Sequence, residues 1–256
     1  IQDVGAQQLI IAINRFLESD VMDVASPRLI RKENGTALEP VLNDIKEGRL
    51  GGVIFAGINP VYSMPDGEAF AEGIKKLDLS VAFSMKEDET AAACQYIAAT
   101  PHYLEGWGDY EFKRGHFALA QPTIRPLFDT LQFQDALLQW SGSSASFYES
   151  IQNHWNESIL KGESWNVALH DGYFSANNAT APTYKETDLT QAVQTLAGAS
   201  ASGLELTLYT KTGMGDGNQS NNPWLQEFPD PITRVSWDNY LTMAAADAAA
   251  LGLKNV

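Results

Sequence analysis

Two uncharged apolar runs constrain the fold more than any other feature: GGVIFAGI, Gly51 to Ile58, and LSVAFSM, Leu79 to Met85. Runs of this kind are expected of strands covered on both faces in a parallel sheet. Asn59 and Pro60 end the first run, and Asp66 is placed to cap a helix reaching Lys76. Strand, helix and strand within about 35 residues make one βαβ unit, whose crossover is right-handed by a nearly fixed rule. A helix over Asp88 to Cys94 and a third run, YIAAT from Tyr96 to Thr100, continue the alternation. The expected fold is α/β, with an open, mostly parallel Rossmann-like sheet carrying helices on both faces.

Elsewhere the helical period dominates. Leu9, Ile10, Ile13, Phe16 and Leu17 recur at three- and four-residue steps, which predicts an amphipathic helix over Ala6 to Leu17 packed on the sheet. RKENGTALEPVLNDIKEG reads as a turn at Asn34-Gly35 and a short helix. Phe133, Ala136, Leu137 and Trp140 share one helix face, and Phe147 to Leu160 forms another, aromatic helix. Small and polar residues over Asp171 to Thr187 read as an exposed connection, followed by a short helix over Leu189 to Leu196. LELTLYT, Leu204 to Thr210, alternates with period two and is expected to be a half-buried strand. The chain therefore divides into a Rossmann-like domain (1–142), a helical and loop connection (143–203) and a C-terminal segment with a partial β region (204–256). Pro223, Pro229 and Pro231 make independent folding of Gly213 to Val256 unexpected.

Charge and cysteine content exclude several classes. With 17 Lys plus Arg against 32 Asp plus Glu, the net charge of −15 repels nucleic acid and anionic lipid and attracts basic partner surfaces. The single cysteine, Cys94, is too few for an intrachain disulfide, a multi-cysteine zinc site or an iron–sulfur cluster held by several thiolates. Apolar runs stop well short of the roughly 18 residues of a membrane-spanning helix. The chain begins IQDVGAQQ, without Met, a basic region or a cleavage signature, and is read as a cut domain or mature piece.

Local chemistry is sparse. The corner after the first strand, at Gly57, would point backbone N–H groups into the crevice at the carboxyl edge of the sheet, where a phosphate binds in many α/β proteins. It lacks the GxGxxG pattern. GMGDG, with Gly213, Gly215 and Gly217, is framed by no strand and helix and reads as a plain turn. His102, His116, His154 and His170 form neither HExxH nor a paired spacing for zinc. His102, Glu105 and Asp109, beside Trp107, would in principle bind a metal or relay protons, though such a group more often makes a hydrogen-bonded corner. Cys94, between small residues, reads as a packed thiol, and no nucleophile stands next to a base.

Taken jointly, several stretches resemble the molybdopterin-guanine-dinucleotide oxidoreductases related to formate dehydrogenase and dimethyl sulfoxide reductase. GGVIFAGINPVYSMPD is similar to the strand and turn that this family sets against its cofactor, and Glu89 to Ala91 followed by HYLEGWGD is similar to its next landmarks. SNNPWLQEFPDPITRVSWDN, Ser220 to Asn239, resembles a signature of one branch, the molybdopterin-like iron–sulfur subunit of alternative complex III. Gln121 to Gly142 and Trp165 to Phe174 resemble that branch too.

The resemblance implies a cofactor-facing set of Gly57, Asn59, Pro60, Ser84, Glu105 and Gly108. It also implies departures. Where the family has an acid at the end of the second strand, this chain has Ser84, and a second acid is replaced by Gln95. A hydroxyl in place of the carboxylate removes a charged hydrogen bond to guanosine worth roughly 1.5 to 3 kcal/mol. The resemblance thus implies a vestigial site with no catalytic residue, no metal and no cofactor in this chain; iron–sulfur clusters would lie in regions outside it. The alternative is a working domain that binds molybdopterin guanine dinucleotide. Implied partners are cytochrome c and quinol-oxidising membrane subunits of a respiratory complex, on the periplasmic side of the bacterial inner membrane, with no nucleic acid and no membrane span of its own.

Overall fold

A computed structural model describes residues 3–23, 26–30, 35–176, 188–199, 203–215, 217 and 219–254. Helices α1 (Val4–Phe16) and α2 (Gly35–Lys46) precede strand β1 (Gly52–Ala56), and α3 (Pro60–Ser63) and α4 (Gly67–Ile74) lead to β2 (Leu79–Ser84). Helix α5 (Glu89–Ala93) then leads to β3 (Tyr96–Ala99). The three strands are parallel, in the order β1-β2-β3, so the βαβ expectation holds and the fold is mixed α/β.

Pleating decides what each run covers. Phe55 faces α2 and α4 and packs with Ile45, Phe70, Ile74 and Leu77; burying a side chain of this size stabilises by about 1.5 to 3 kcal/mol. Gly73 lets the two helices close, because a Cβ there would lie 2.5 Å from the Ile45 carbonyl oxygen. On the opposite face Phe83 meets Phe133 and Trp140 of α6 (Phe133–Trp140) at ring centroid distances of 4.9 and 5.9 Å. The rest of that face, Ile54, Leu79 and Tyr96, is exposed. Full cover on both faces, expected from the apolar runs, is corrected accordingly: α6 reaches only the carboxyl end of the sheet.

A second sheet was not legible as such. Strands β4 (Gly108–Lys113), β5 (His116–Ala120) and β6 (Tyr173–Ser175) pair antiparallel in that order. The first two are joined through Gly115, at φ +76, the left-handed conformation that glycine adopts without strain. Strand β6 lies in the stretch expected to be an exposed connection; it is held by β5, with His116 Nδ1 and Ser175 Oγ 2.9 Å apart. Of that stretch, residues 177–187 lie outside the described residues, as does Asn34 of the expected turn.

Helix α7 (Phe147–His154) opens with a capping box between Ser146 and Glu149 and passes into a π-helical turn, Trp155–Ile159. With α8 (Trp165–Asp171) it closes an aromatic core in which Trp155 and Trp165 pack against Trp107, Phe117, Tyr148 and Phe174. Helix α1 packs against α9 (Thr190–Gly198) rather than on a sheet, leaving Ile13, Phe16 and Leu17 exposed. The expected strand over Leu204 to Thr210 does not form: period two specifies a strand only when another strand offers its edge. Helices α10 (Pro223–Glu227) and α11 (Ala245–Ala250) complete the chain. Among the described residues, no helix is long and apolar enough to cross a membrane.

Candidate functional site

The crevice lies where the sequence places it, beyond the carboxyl ends of the parallel strands. Ala56 ends β1 and Gly57 follows it, Phe83 lies one residue before the end of β2, Thr100 to Tyr103 follow β3, and Trp107 to Tyr110 span the start of β4, around a cavity of about 340 Å³. That volume sits at the lower end of the roughly 300 to 1,000 Å³ typical of ligand sites. Gly57 turns the chain at φ +65, and a Cβ there would meet nothing within 4 Å. Gly108 is pinned differently: a Cβ would lie 2.8 Å from the Tyr110 hydroxyl.

The six residues of the implied site do not converge. Only Gly57 and Gly108 line the crevice. Asn59 belongs to a knot between the first and second βα corners: its Oδ1 accepts from the Thr90 amide at 3.2 Å and the Thr90 hydroxyl at 2.7 Å, while its Nδ2 donates to Glu89 Oε2 at 2.7 Å. That last bond holds the Glu89 carboxyl below its ordinary range. Pro60 is buried at the start of α3. Ser84 donates to Asp88 Oδ2 at 3.2 Å and accepts from the Lys86 amide at 3.3 Å, while Asp88 Oδ1 caps α5 at the Ala91 amide. Glu105 secures its own loop, accepting from the His102 amide at 2.9 Å and the Leu127 amide at 3.1 Å.

Most backbone donors at the corner are also engaged. The Gly57 amide donates to the Phe83 carbonyl at 3.1 Å, Pro60 has no N–H, the Val61 amide donates to Thr90 Oγ1 at 3.0 Å, and Tyr62 and Ser63 donate to the Asn59 carbonyl. Asp66, expected to cap α4, makes no side-chain cap; its carboxylate pairs with Lys46 at 2.5 Å.

The His102, Glu105 and Asp109 group is not a relay. The His102 ring accepts from the Leu104 amide at 3.3 Å and packs on Tyr103, while Asp109 accepts from Trp155 Nε1 at 3.1 Å. Among the described residues, no cluster of His, Cys, Asp and Glu could hold a metal. Cys94 is half-buried, and burial raises its thiol pKa.

Sequence reasoning missed Tyr110, Gln132, Phe133 and Phe147, which line the crevice with Trp107. Gln132 clamps the Trp107 backbone, accepting its N–H at 3.2 Å and donating to its carbonyl at 2.5 Å. Nothing local in sequence marks Gln132, which lies 25 positions from the residue it fixes. The lining contains Asp109 and neither Lys nor Arg.

No family model matches the chain. Over 88 residues it is 38% identical to the menaquinone reductase, molybdopterin-binding-like subunit of Nitratidesulfovibrio vulgaris, a match covering 33% of this chain and 13% of that protein. The resemblance to molybdopterin-related proteins drawn from the sequence is thereby borne out over that part. Among solved structures, acetylene hydratase from Pelobacter acetylenicus superposes with a TM-score of 0.40 at 13% identity, over 54% of this chain and 20% of that one.

Proposed function

We propose that the chain is a non-catalytic scaffold within a respiratory oxidoreductase subunit resembling the molybdopterin-like iron–sulfur protein of alternative complex III. In this reading it serves quinol oxidation by assembly, holds no molybdenum cofactor and no cluster, and docks cytochrome c and membrane subunits on the periplasmic side of the bacterial inner membrane. The coarser part, a subunit of an oxidoreductase, is supported by the similarity to a protein named as a menaquinone reductase subunit.

The observation that carries the reading is the engagement of four of the corner's amide donors. A pyrophosphate needs free N–H groups and positive charge, whereas the amides of Gly57, Val61, Tyr62 and Ser63 already have acceptors inside the fold. The lining also holds neither Lys nor Arg to pair with an anion. The residues present do not fit a pterin dinucleotide, and no chemical step is assigned to one.

The second reading, a working cofactor domain, draws on one feature: Gly57 and Gly108 both border the crevice, and a Cβ at Gly57 would meet nothing within 4 Å. Metal analysis of the native complex containing this chain decides between them. The scaffold reading predicts iron without molybdenum; one molybdenum per chain contradicts it.

A further inference from the structure

LELTLYT has the alternation of a strand, and its backbone behaves as one awaiting a partner. Residues 204–211 run without turn or bend, and a second such run, 239–244, lies across from them. Tyr209 and Tyr240 join hydroxyls at 3.1 Å, and the Lys211 ammonium reaches the Asp238 carbonyl and lies 5.2 Å from the Tyr240 ring centroid. Contacts that ascend one run descend the other, so the two are antiparallel.

They do not pair. Directly paired strands lie about 4.8 Å apart and leave no room between them; here a groove of about 770 Å³ separates the runs, lined by Leu204, Leu206, Leu241, Met243, Glu205 and Asp247 among others. The backbone N–H and C=O groups of Glu205, Leu206 and Thr207 on one side, and of Leu241, Thr242 and Met243 on the other, have no partner among the described residues. Leu206 is 72% exposed and Leu241 65% exposed.

We propose that this groove is a slot for one extended strand of a partner polypeptide, inserted between the two runs and hydrogen-bonded to both. Edge addition of this kind draws its binding from main-chain bonds and its selectivity from alternate side chains. Six residues, Leu204 to Tyr209, border one side and span roughly 20 Å at about 3.3 Å each, the length of an ordinary strand. The leucine row requires an apolar residue at every second position of the occupant. Charge fixes one end: Glu205 and Asp247 line the groove away from Lys211, which is already engaged, within a chain of net charge −15. The strand that complements this slot carries Lys or Arg beside its apolar positions. The assignment goes beyond the scaffold reading and does not depend on whether the crevice takes a nucleotide.

The test is a titration of the full chain with a synthetic peptide of alternating valine and threonine between terminal lysines, read by amide hydrogen exchange. Saturable binding with exchange at residues 205–207 and 241–243 slowed at least about tenfold is expected. A peptide methylated at alternate backbone nitrogens should not bind, and Glu205→Lys should turn the preference toward a glutamate-ended peptide. Thr207→Pro, which removes one N–H, should abolish binding while near-ultraviolet circular dichroism of the tryptophan core stays unchanged. No slowing at high peptide concentration, slowing on one run only, or equal binding of the methylated peptide would overturn the proposal. Protection of the same amides without peptide, accompanied by dimerisation in sedimentation, would overturn it in favour of a second copy of this chain. Molybdenum in the native complex would end the scaffold reading and leave this slot untouched.

Discussion

Replacing Asn59 with Ala tests whether the corner after β1 is held from inside the fold. Thr90 is fully buried and gives both its amide and its hydroxyl to Asn59 Oδ1, at 3.2 and 2.7 Å. Removing that acceptor strands two buried donors at about 1 to 2 kcal/mol each, hence a loss of about 2 to 4 kcal/mol. The third bond, to Glu89, rests on an exposed carboxylate and adds no more than about 0.5 kcal/mol. Urea unfolding followed by tryptophan fluorescence measures the loss as a shift in midpoint at constant slope. In a Thr90→Val background the same substitution should cost at least about 1 kcal/mol less, since the two side chains act as a unit. The Glu89 share has a definite pH dependence. Its carboxyl pKa is lowered in the fold from an ordinary 4.5, so that share is present above 4.5 and fades as pH falls through the lowered folded value. A loss under about 0.5 kcal/mol without coupling to Thr90 would refute the knot.

Other consequences are as direct. Gly73→Ala should lower the thermal midpoint despite the roughly 1 kcal/mol that alanine gains in helix propensity, because its Cβ would stand 2.5 Å from the Ile45 carbonyl; a raised midpoint contradicts the close α2–α4 contact. Tyr240, whose pKa is pushed up to about 12 chiefly by the Tyr209 hydroxyl, should ionise late in an ultraviolet titration. Tyr209→Phe should bring it back toward 10, and an unmoved titration contradicts the contact. Trp155→Phe removes the bond to Asp109 and leaves a cavity where the fully buried indole was larger, for an expected loss above about 2 kcal/mol in urea. Cys94 should be alkylated by iodoacetamide more slowly than a free thiol at neutral pH, since burial raises its thiol pKa.

What the sequence revealed and what it hid have separate physical causes. The three parallel strands and α6 were legible because each is encoded locally, by an apolar run or by a three-to-four spacing such as Phe133, Ala136 and Trp140. The antiparallel sheet was not, because β5 and β6 meet across more than fifty residues and β6 is only Tyr173–Ser175. Helix α1 showed its apolar stripe but not its partner; a stripe states that cover is needed and leaves open what supplies it. Leu204 to Thr210 failed as a strand for the same reason.

At the candidate site, glycines were the legible part. Gly57 and Gly108 are marked by their place after a strand and in GWGD, and both line the crevice. Asn59, Ser84 and Glu105 were misplaced because a polar side chain near a corner serves a ligand or the fold equally well in sequence. Here Thr90, Asp88 and the Leu127 amide claim them.

Isothermal titration of the chain with molybdopterin guanine dinucleotide tests the central claim, that a corner most of whose donors are spent within the fold cannot grip an anionic dinucleotide. The account predicts no saturable heat, and the same flat trace for guanosine diphosphate as the nucleotide half. Micromolar binding that weakens when Gly57 is replaced by Val would contradict it.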